Sequence, residues 1–209
     1  MDIAYFIHSS DFFQWCVHHW LEIFGVVTGL LYVWLEIRQK PSMWVVGFVS
    51  SLVYVLVYFQ SSVYGYSALY VYYVAVSVYG WYCWRYARQP DGVVAELQVS
   101  RLRLLPAVVF ASIAVVLCIG IGYTLDRFTD SPVPYFDALG VSFSIVATWM
   151  LARKILEHWI LWILINFFSS ALCFSRELYL TAGLFVVYGI LSVVGWFKWK
   201  RNSNINNQK

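Results

Sequence analysis

The residues of this chain best suited to chemistry are two tryptophans and an asparagine, Trp159, Trp162 and Asn166. Their spacings of three and four residues place all three side chains on one face of a predicted helix. An amide in hydrocarbon is costly unless it has a partner, so Asn166 is expected to face the protein interior. The pattern predicts a ligand site built from an amide and aromatic rings. The alternative is an amide that only joins two helices.

A second set of candidate ligand contacts lies midway along other apolar segments. Tyr70 and Tyr73 share one predicted helix, and Tyr188 lies on another. Each of these stripes also carries a serine, Ser77 or Ser192. Aromatic faces can enclose a flat ligand and attract a cation. Four tryptophans that adjoin basic residues are instead interpreted as membrane-interface anchors: Trp81, Trp84, Trp196 and Trp199.

The sequence offers few residues for catalysis or metal binding. No pair of carboxylates lies deep in an apolar segment, no phosphate-binding glycine loop occurs, and the four histidines show no metal-like clustering at membrane depth. Glu36 is interpreted as a side chain that reaches the membrane surface near Arg38. The chain is therefore predicted not to be an enzyme and to need no cofactor or metal.

Composition decides the class of protein. Of the 209 residues, 61% are hydrophobic and 12% are charged, against about 45–50% and 25% in soluble domains. A soluble fold of this length could not bury so much apolar surface, so the sequence predicts an all-α polytopic membrane protein. Seven segments approach the roughly 20 residues that a helix needs to cross the hydrocarbon: 20–37, 42–60, 65–84, 103–123, 135–152, 157–175 and 179–198.

The basic residues predict the orientation. Of the 14 Lys and Arg residues, 12 lie at one end of the segments, and Arg127 and Arg176 lie at the other. Cytoplasmic loops carry the excess of Lys and Arg, so the N-terminus is predicted outside and the C-terminus inside. The chain is expected to cross a membrane several times.

An internal repeat relates the two ends of the chain. At a constant offset of 115 residues, 15 of 65 pairs between 21–85 and 136–200 are identical, without a gap. Segments one to three then match segments five to seven in the same orientation, which predicts a 3+1+3 parallel repeat. Such repeats bind ligands near the midplane, between the halves. The offset pairs Asn166 with Ser51, so Ser51 joins the candidate substrate contacts, and the asymmetry suits an asymmetric ligand.

The predicted organisation follows from the segments and the repeat. It has two triple-helix bundles joined by a linker transmembrane helix, with a cytoplasmic loop and two tails. In chain order the parts are the N-terminal tail 1–19, the first bundle 20–86, the loop 87–102, the linker helix 103–123, the second bundle 135–200 and the C-terminal tail 201–209.

Two motifs make the chain resemble a known family. Over about residues 20–200, these motifs and the repeat are similar to those of the Pnu vitamin transporters: Tyr79-Gly80-Trp81-Tyr82-x-Trp84 and Trp159-x-x-Trp162-x-x-x-Asn166. The resemblance implies a SWEET-like fold, a homotrimer, and facilitated diffusion followed by phosphorylation of the vitamin by a cytosolic kinase. It also implies a central substrate site, which carries over to Tyr70, Tyr73, Trp159, Trp162 and Asn166.

The resemblance implies that the substrate is a cationic heteroaromatic vitamin. The nicotinamide riboside branch of the family often has a glutamine where this chain has Tyr70. An aromatic ring in place of that amide favours thiamine slightly, with nicotinamide riboside a close second. Two other functions remain as alternatives: a sugar facilitator of the same fold, and a membrane receptor or scaffold that transports nothing.

Overall fold

The computed structural model describes residues 19–60, 64–86, 97–129 and 133–206, and these ranges fold into seven α-helices. The helices form because long apolar runs contain few breakers, and Pro134 stands in the first turn of its helix, where its missing N–H is tolerated. In chain order they are α1 Trp20–Ile37, α2 Ser42–Gln60, α3 Tyr64–Arg85, α4 Leu104–Phe128, α5 Pro134–Ala152, α6 His158–Ser175 and α7 Tyr179–Asn206.

Six of these helices are long and apolar enough to cross a membrane. The helix outside that set is α3, which has 22 residues but contains seven tyrosines. Phenol rings carry a polar hydroxyl and lower the mean hydropathy of the segment. The all-helical prediction is confirmed, whereas the membrane crossing by α3 stays a prediction.

Two helices extend beyond their predicted segments. The linker helix, predicted as 103–123, continues to Phe128, and α7 continues to Asn206 through most of the predicted tail 201–209. Charged residues such as Asp126 and Lys200 end an apolar segment, but backbone hydrogen bonds continue the helix into water. Apart from His19, the predicted tail 1–19 lies outside the described residues, as does 87–96 of the predicted loop 87–102.

The turns after α1 and α5 are built alike. Gln39 and Lys154, which are 115 residues apart, both adopt a left-handed backbone with φ of 55° and 50°. Their N–H groups donate to the carbonyls of Glu36 and Leu151, each at 2.9 Å. This closes the last helical turn in the manner of a Schellman cap, although neither position holds a glycine.

The helices pack in two matching sets, here called the first half (α1–α3) and the second half (α5–α7). Within each half the middle helix contacts both neighbours. Between the halves α3 contacts α5 and α1 contacts α7, while α4 packs against α5. The end of the bundle at which α1, α3, α5 and α7 finish is called the basic end.

The main buried cluster lies at the basic end and contains four tryptophans. Trp44 and Trp84 meet edge to face at 5.7 Å in the first half, and Trp159 and Trp199 do so at 5.7 Å in the second. Trp84 and Trp199 are 0% exposed. Their predicted role as membrane-interface anchors is therefore wrong, because both indoles are enclosed between the two halves.

Candidate substrate site

The Asn166 amide lies in the interior of the second half, as predicted. Its side chain is 7% exposed on α6, and its Nδ2 donates to the Ser192 hydroxyl of α7 at 3.4 Å. Ser192 in turn donates to the Tyr188 carbonyl at 2.8 Å. Among the described residues the Asn166 carbonyl oxygen accepts no hydrogen bond. The amide is thus fixed on one side and retains an acceptor on the other.

The two tryptophans of the same predicted face lie in different surroundings. Trp162 is partly buried, and its indole N–H is enclosed without a partner in the described part of the chain. Trp159 is 1% exposed and packs on Gly195 within the tryptophan cluster of the basic end. Seven residues of helix separate Trp159 from Asn166, about 10 Å along the axis. Of the two indoles, Trp162 therefore lies nearer to the amide along the helix axis.

Two tyrosines reach across the boundary between the halves. The Tyr73 hydroxyl of α3 faces the Ser144 side chain of α5. Tyr188 of α7 places its hydroxyl directly against Gly29 of α1, with no room for a Cβ. The offset of 115 relates the two tyrosines and also relates Gly29 to Ser144. The two crossings occupy equivalent positions, but only one partner carries a hydroxyl.

Tyr70 packs within the first half rather than against α6. Its ring stacks on Tyr58 at 5.4 Å, lies 5.0 Å from Tyr54, and meets Tyr73 edge to face at 5.6 Å. Much of its aromatic surface is therefore covered by other tyrosines. Ser51, the counterpart of Asn166, is 6% exposed in the interior of α2.

Sequence reasoning missed several groups that join the halves. The Tyr72 hydroxyl donates to the Ile145 carbonyl at 2.8 Å. The Glu36 carboxylate, predicted to reach the membrane surface, is 2% exposed and contacts His158 at 3.0 Å. The surface prediction for Glu36 is wrong because its partner lies on α6, in the other half. The repeat register could have identified this position, since it pairs Glu36 with an apolar Leu151.

A further missed group lies outside the membrane-spanning segments. The Arg153 guanidinium donates to the Tyr79 hydroxyl at 2.9 Å, and the Tyr79 ring stacks flat on Trp149 at 5.0 Å. The hydrogen bond to Tyr79 raises the pKa of the Arg153 side chain, so the guanidinium stays charged. This contact fixes α3 against the end of α5.

A cavity between the helices lies elsewhere. Its volume is about 310 Å³, and it opens between α4, α5 and α6, lined mainly by Phe110, Phe143, Met150 and Leu161. It is apolar and contains none of the predicted substrate contacts.

Comparison with known proteins identifies the family. The family model described as the nicotinamide mononucleotide transporter matches residues 19–201. The chain is similar to the nicotinamide riboside transporter PnuC of Escherichia coli K12, with 24% identity covering 86% of this chain and 84% of that protein. It is also similar to the riboflavin/roseoflavin transporter RibM of Streptomyces davaonensis, with 28% identity covering 88% of each.

A solved structure agrees with these matches. The crystal structure of the vitamin B3 transporter PnuC superimposes with a TM-score of 0.70, at 25% identity, covering 92% of this chain and 85% of that one. The resemblance to the Pnu vitamin transporters is confirmed. The chain belongs to the nicotinamide mononucleotide transporter family and is a multi-pass protein of the bacterial inner membrane.

Proposed function

We propose that the protein takes up a heteroaromatic vitamin by facilitated diffusion, binding it between the two halves. The observation that carries the proposal is the buried Asn166 amide, held by Ser192 with its carbonyl oxygen free among the described residues. The enclosed N–H of Trp162 on the same helix supplies a donor. A donor and an acceptor beside aromatic rings suit a flat heterocycle with polar edges.

The proposed architecture is a SWEET-like 3+1+3 parallel repeat with a two-fold axis along the membrane normal. Matching helix ends at Gln39 and Lys154, matching tryptophan pairs and equivalent tyrosine crossings support it. The excess of Lys and Arg at the basic end supports a cytoplasmic C-terminus. Domains 20–86 and 135–200 then act as the two bundles that separate and close around the ligand.

Nicotinamide riboside is the first substrate to test, ahead of thiamine and riboflavin. The preference for thiamine relies on a free aromatic surface at Tyr70, but that ring is stacked on Tyr58 and lies 5.0 Å from Tyr54. Relatives named for nicotinamide riboside and for riboflavin both align along most of the chain. In the proposed site Tyr73, Tyr188, Trp162 and Asn166 contact the ligand, with Trp159, Tyr70 and Ser51 supporting them.

A diffusion mechanism needs no coupling ion. Phosphorylation of the vitamin by a cytosolic kinase would keep the inward gradient, and assembly as a homotrimer follows from the same family resemblance. Both features belong to the proposal. A sugar facilitator would need more Asn and Gln side chains facing the centre, and among the described residues Asn166 is the one buried side-chain amide.

The test is uptake by the purified protein in liposomes, with nicotinamide riboside, thiamine, riboflavin and glucose in parallel. We expect uptake of one vitamin and no glucose uptake, and Asn166→Ala should lower vitamin uptake about tenfold or more, the loss of one hydrogen bond in a desolvated site. Ser112→Ala, on an exposed surface of α4, is the control. Full uptake by Asn166→Ala would contradict the proposed site. If the parent protein took up no vitamin, the proposed transport function would be wrong.

A further inference from the structure

A buried acid–base pair joins the two halves at the basic end. His158 Nε2 of α6 lies 3.0 Å from Glu36 Oε1 of α1, and the two side chains are 0% and 3% exposed. The His158 Nδ1 is 2.6 Å from the Ile155 carbonyl. A carbonyl oxygen only accepts, so Nδ1 carries a proton, and a second proton lies between Nε2 and the carboxylate. The closed pair therefore holds two protons and has no net charge.

The surroundings of the pair are aromatic. The Trp159 and Trp199 rings lie 4.8 and 4.9 Å from the His158 ring, and the Trp199 N–H donates to the Glu36 carbonyl at 3.1 Å. The elements packed around the pair carry other titratable or charged side chains. These are Tyr32 and Arg38 of the α1 end and Lys40 after it, Tyr72, Tyr79, Cys83 and Arg85 of α3, Arg153 and Lys154 after α5, Glu157 before α6, and Lys198, Lys200 and Arg201 of α7. Arg38 lies over Trp34, Lys154 donates to the Leu97 carbonyl, and Glu157 accepts from the Leu102 N–H.

The repeat contains this pair only once. At an offset of 115, Glu36 corresponds to Leu151 and His158 corresponds to Met43, and both counterparts are 0% exposed. Both counterparts belong to the buried apolar cluster at the basic end, so the repeat holds a polar pair at one place and apolar residues at the other. When the halves separate, water can solvate the polar groups, whereas exposed leucine and methionine side chains oppose separation.

We propose that Glu36 and His158 form the contact that opens at the basic end during transport, and that opening it releases one proton. The proposal rests on the transport function proposed above. In the closed pair the proton between Nε2 and the carboxylate is held by both side chains. When the halves separate, that proton has only one side chain to hold it and passes to water, so the opened pair holds one proton against two when closed. The closed state binds more protons, so it is favoured as the pH falls and opening is favoured as the pH rises.

The variants that test this inference come from the repeat itself. Glu36→Leu with His158→Met reproduces the apolar counterpart on the opposite side. Glu36→Gln keeps a hydrogen bond to His158 and removes the releasable proton. The control is Met43→Leu with Leu151→Met, a swap of similar volume at the equivalent apolar contact.

The first measurement is independent of any substrate. Acrylamide quenching of tryptophan fluorescence reports opening, because Trp84, Trp159 and Trp199 are at most 1% exposed in the closed form. The parent protein and the control should show little change below about pH 6 and increasing quenching from pH 7 to 8.5. Glu36→Gln and the double apolar variant should show none of this increase.

The second measurement is vitamin exchange in liposomes. In the parent protein the exchange rate should rise by up to tenfold per pH unit above pH 7, the limit for one released proton. The double apolar variant should exchange more slowly and without pH dependence. An unchanged pH profile in both Glu36→Gln and the double variant would overturn the inference. A parent protein that shows the quenching profile but exchanges no vitamin would instead contradict the proposed function.

Discussion

Trp84 and Trp199, 115 residues apart, each donate an indole N–H to the equivalent carbonyl of the other half. Trp84 donates to Leu151 at 3.3 Å, and Trp199 donates to Glu36 at 3.1 Å. Leu151 and Glu36 are themselves 115 residues apart, and the two rings lie 5.9 Å from each other. The third helix of each half is thus hydrogen-bonded to the end of the first helix of the other half.

This reciprocal arrangement predicts that removing either indole N–H lowers the stability of the protein by a similar amount. Trp84→Phe and Trp199→Phe should each lower the free energy of unfolding by about 0.5–1.5 kcal/mol, because each removes one buried hydrogen bond while the carbonyl keeps its bond from the Lys154 or Gln39 N–H. Thermal unfolding in detergent measures the loss. Trp81→Phe, on a ring that is 38% exposed, is the control. A loss confined to one of the two positions would contradict the reciprocal arrangement.

The glycines of the two G-W motifs have a packing role. A Cβ on Gly80 would lie 2.5 Å from the Trp44 ring, and one on Gly195 would lie 2.5 Å from the Trp159 ring. Gly80→Ala and Gly195→Ala should each destabilise the protein by about 1–3 kcal/mol through overpacking. In Gly120→Ala the added methyl meets nothing within 4 Å, so unfolding should be unchanged or slightly harder. If all three variants unfolded alike, close packing of the tryptophans would not explain the motif.

Much of the fold could be predicted from the sequence, because apolar runs of membrane length and a gapless repeat are local or periodic signals. The predicted limits of α1 and α2 agree with the structure, whereas the ends of α4 and α7 differ where the helix leaves the apolar segment. Contacts between side chains that are far apart in the sequence have no such local or periodic signal. Glu36 and His158 are 122 residues apart. Tryptophans beside basic residues are typical of interface anchors, so this pattern predicts the wrong environment for Trp84.

The candidate site could be predicted only in part, because some of its contacts are between helices. The burial of Asn166 follows from the cost of an amide in hydrocarbon, and its bond to Ser192 joins neighbouring helices of one half. The surroundings of Tyr70 depend on how α2 and α3 cross. This crossing places the Tyr70 ring beside the rings of Tyr54 and Tyr58. Spacing along one helix gives no information on that crossing.

Gly29 is predicted to position Tyr188 for the substrate. A methyl at Gly29 would overlap the Tyr188 hydroxyl, so Gly29→Ala should displace that ring from the proposed site. We expect about a tenfold rise in the substrate concentration at half-maximal uptake, equivalent to about 1.4 kcal/mol. Gly140→Ala, where an added Cβ meets nothing within 4 Å, should transport normally. Equal uptake by the two variants would exclude a role for Tyr188 in binding.

The charge of the substrate predicts how uptake responds to membrane potential. Nicotinamide riboside and thiamine carry a fixed positive charge, and an inside-negative potential favours entry of one charge by about 2.3 kcal/mol per 100 mV, roughly fifty-fold at equilibrium. Riboflavin is neutral and gains nothing from the potential. Liposomes with a potassium gradient and valinomycin should therefore accumulate a cationic substrate, and setting equal potassium on both sides should abolish that accumulation. Accumulation that persists without a potential would point to ion coupling, because facilitated diffusion alone stops at equal electrochemical potential.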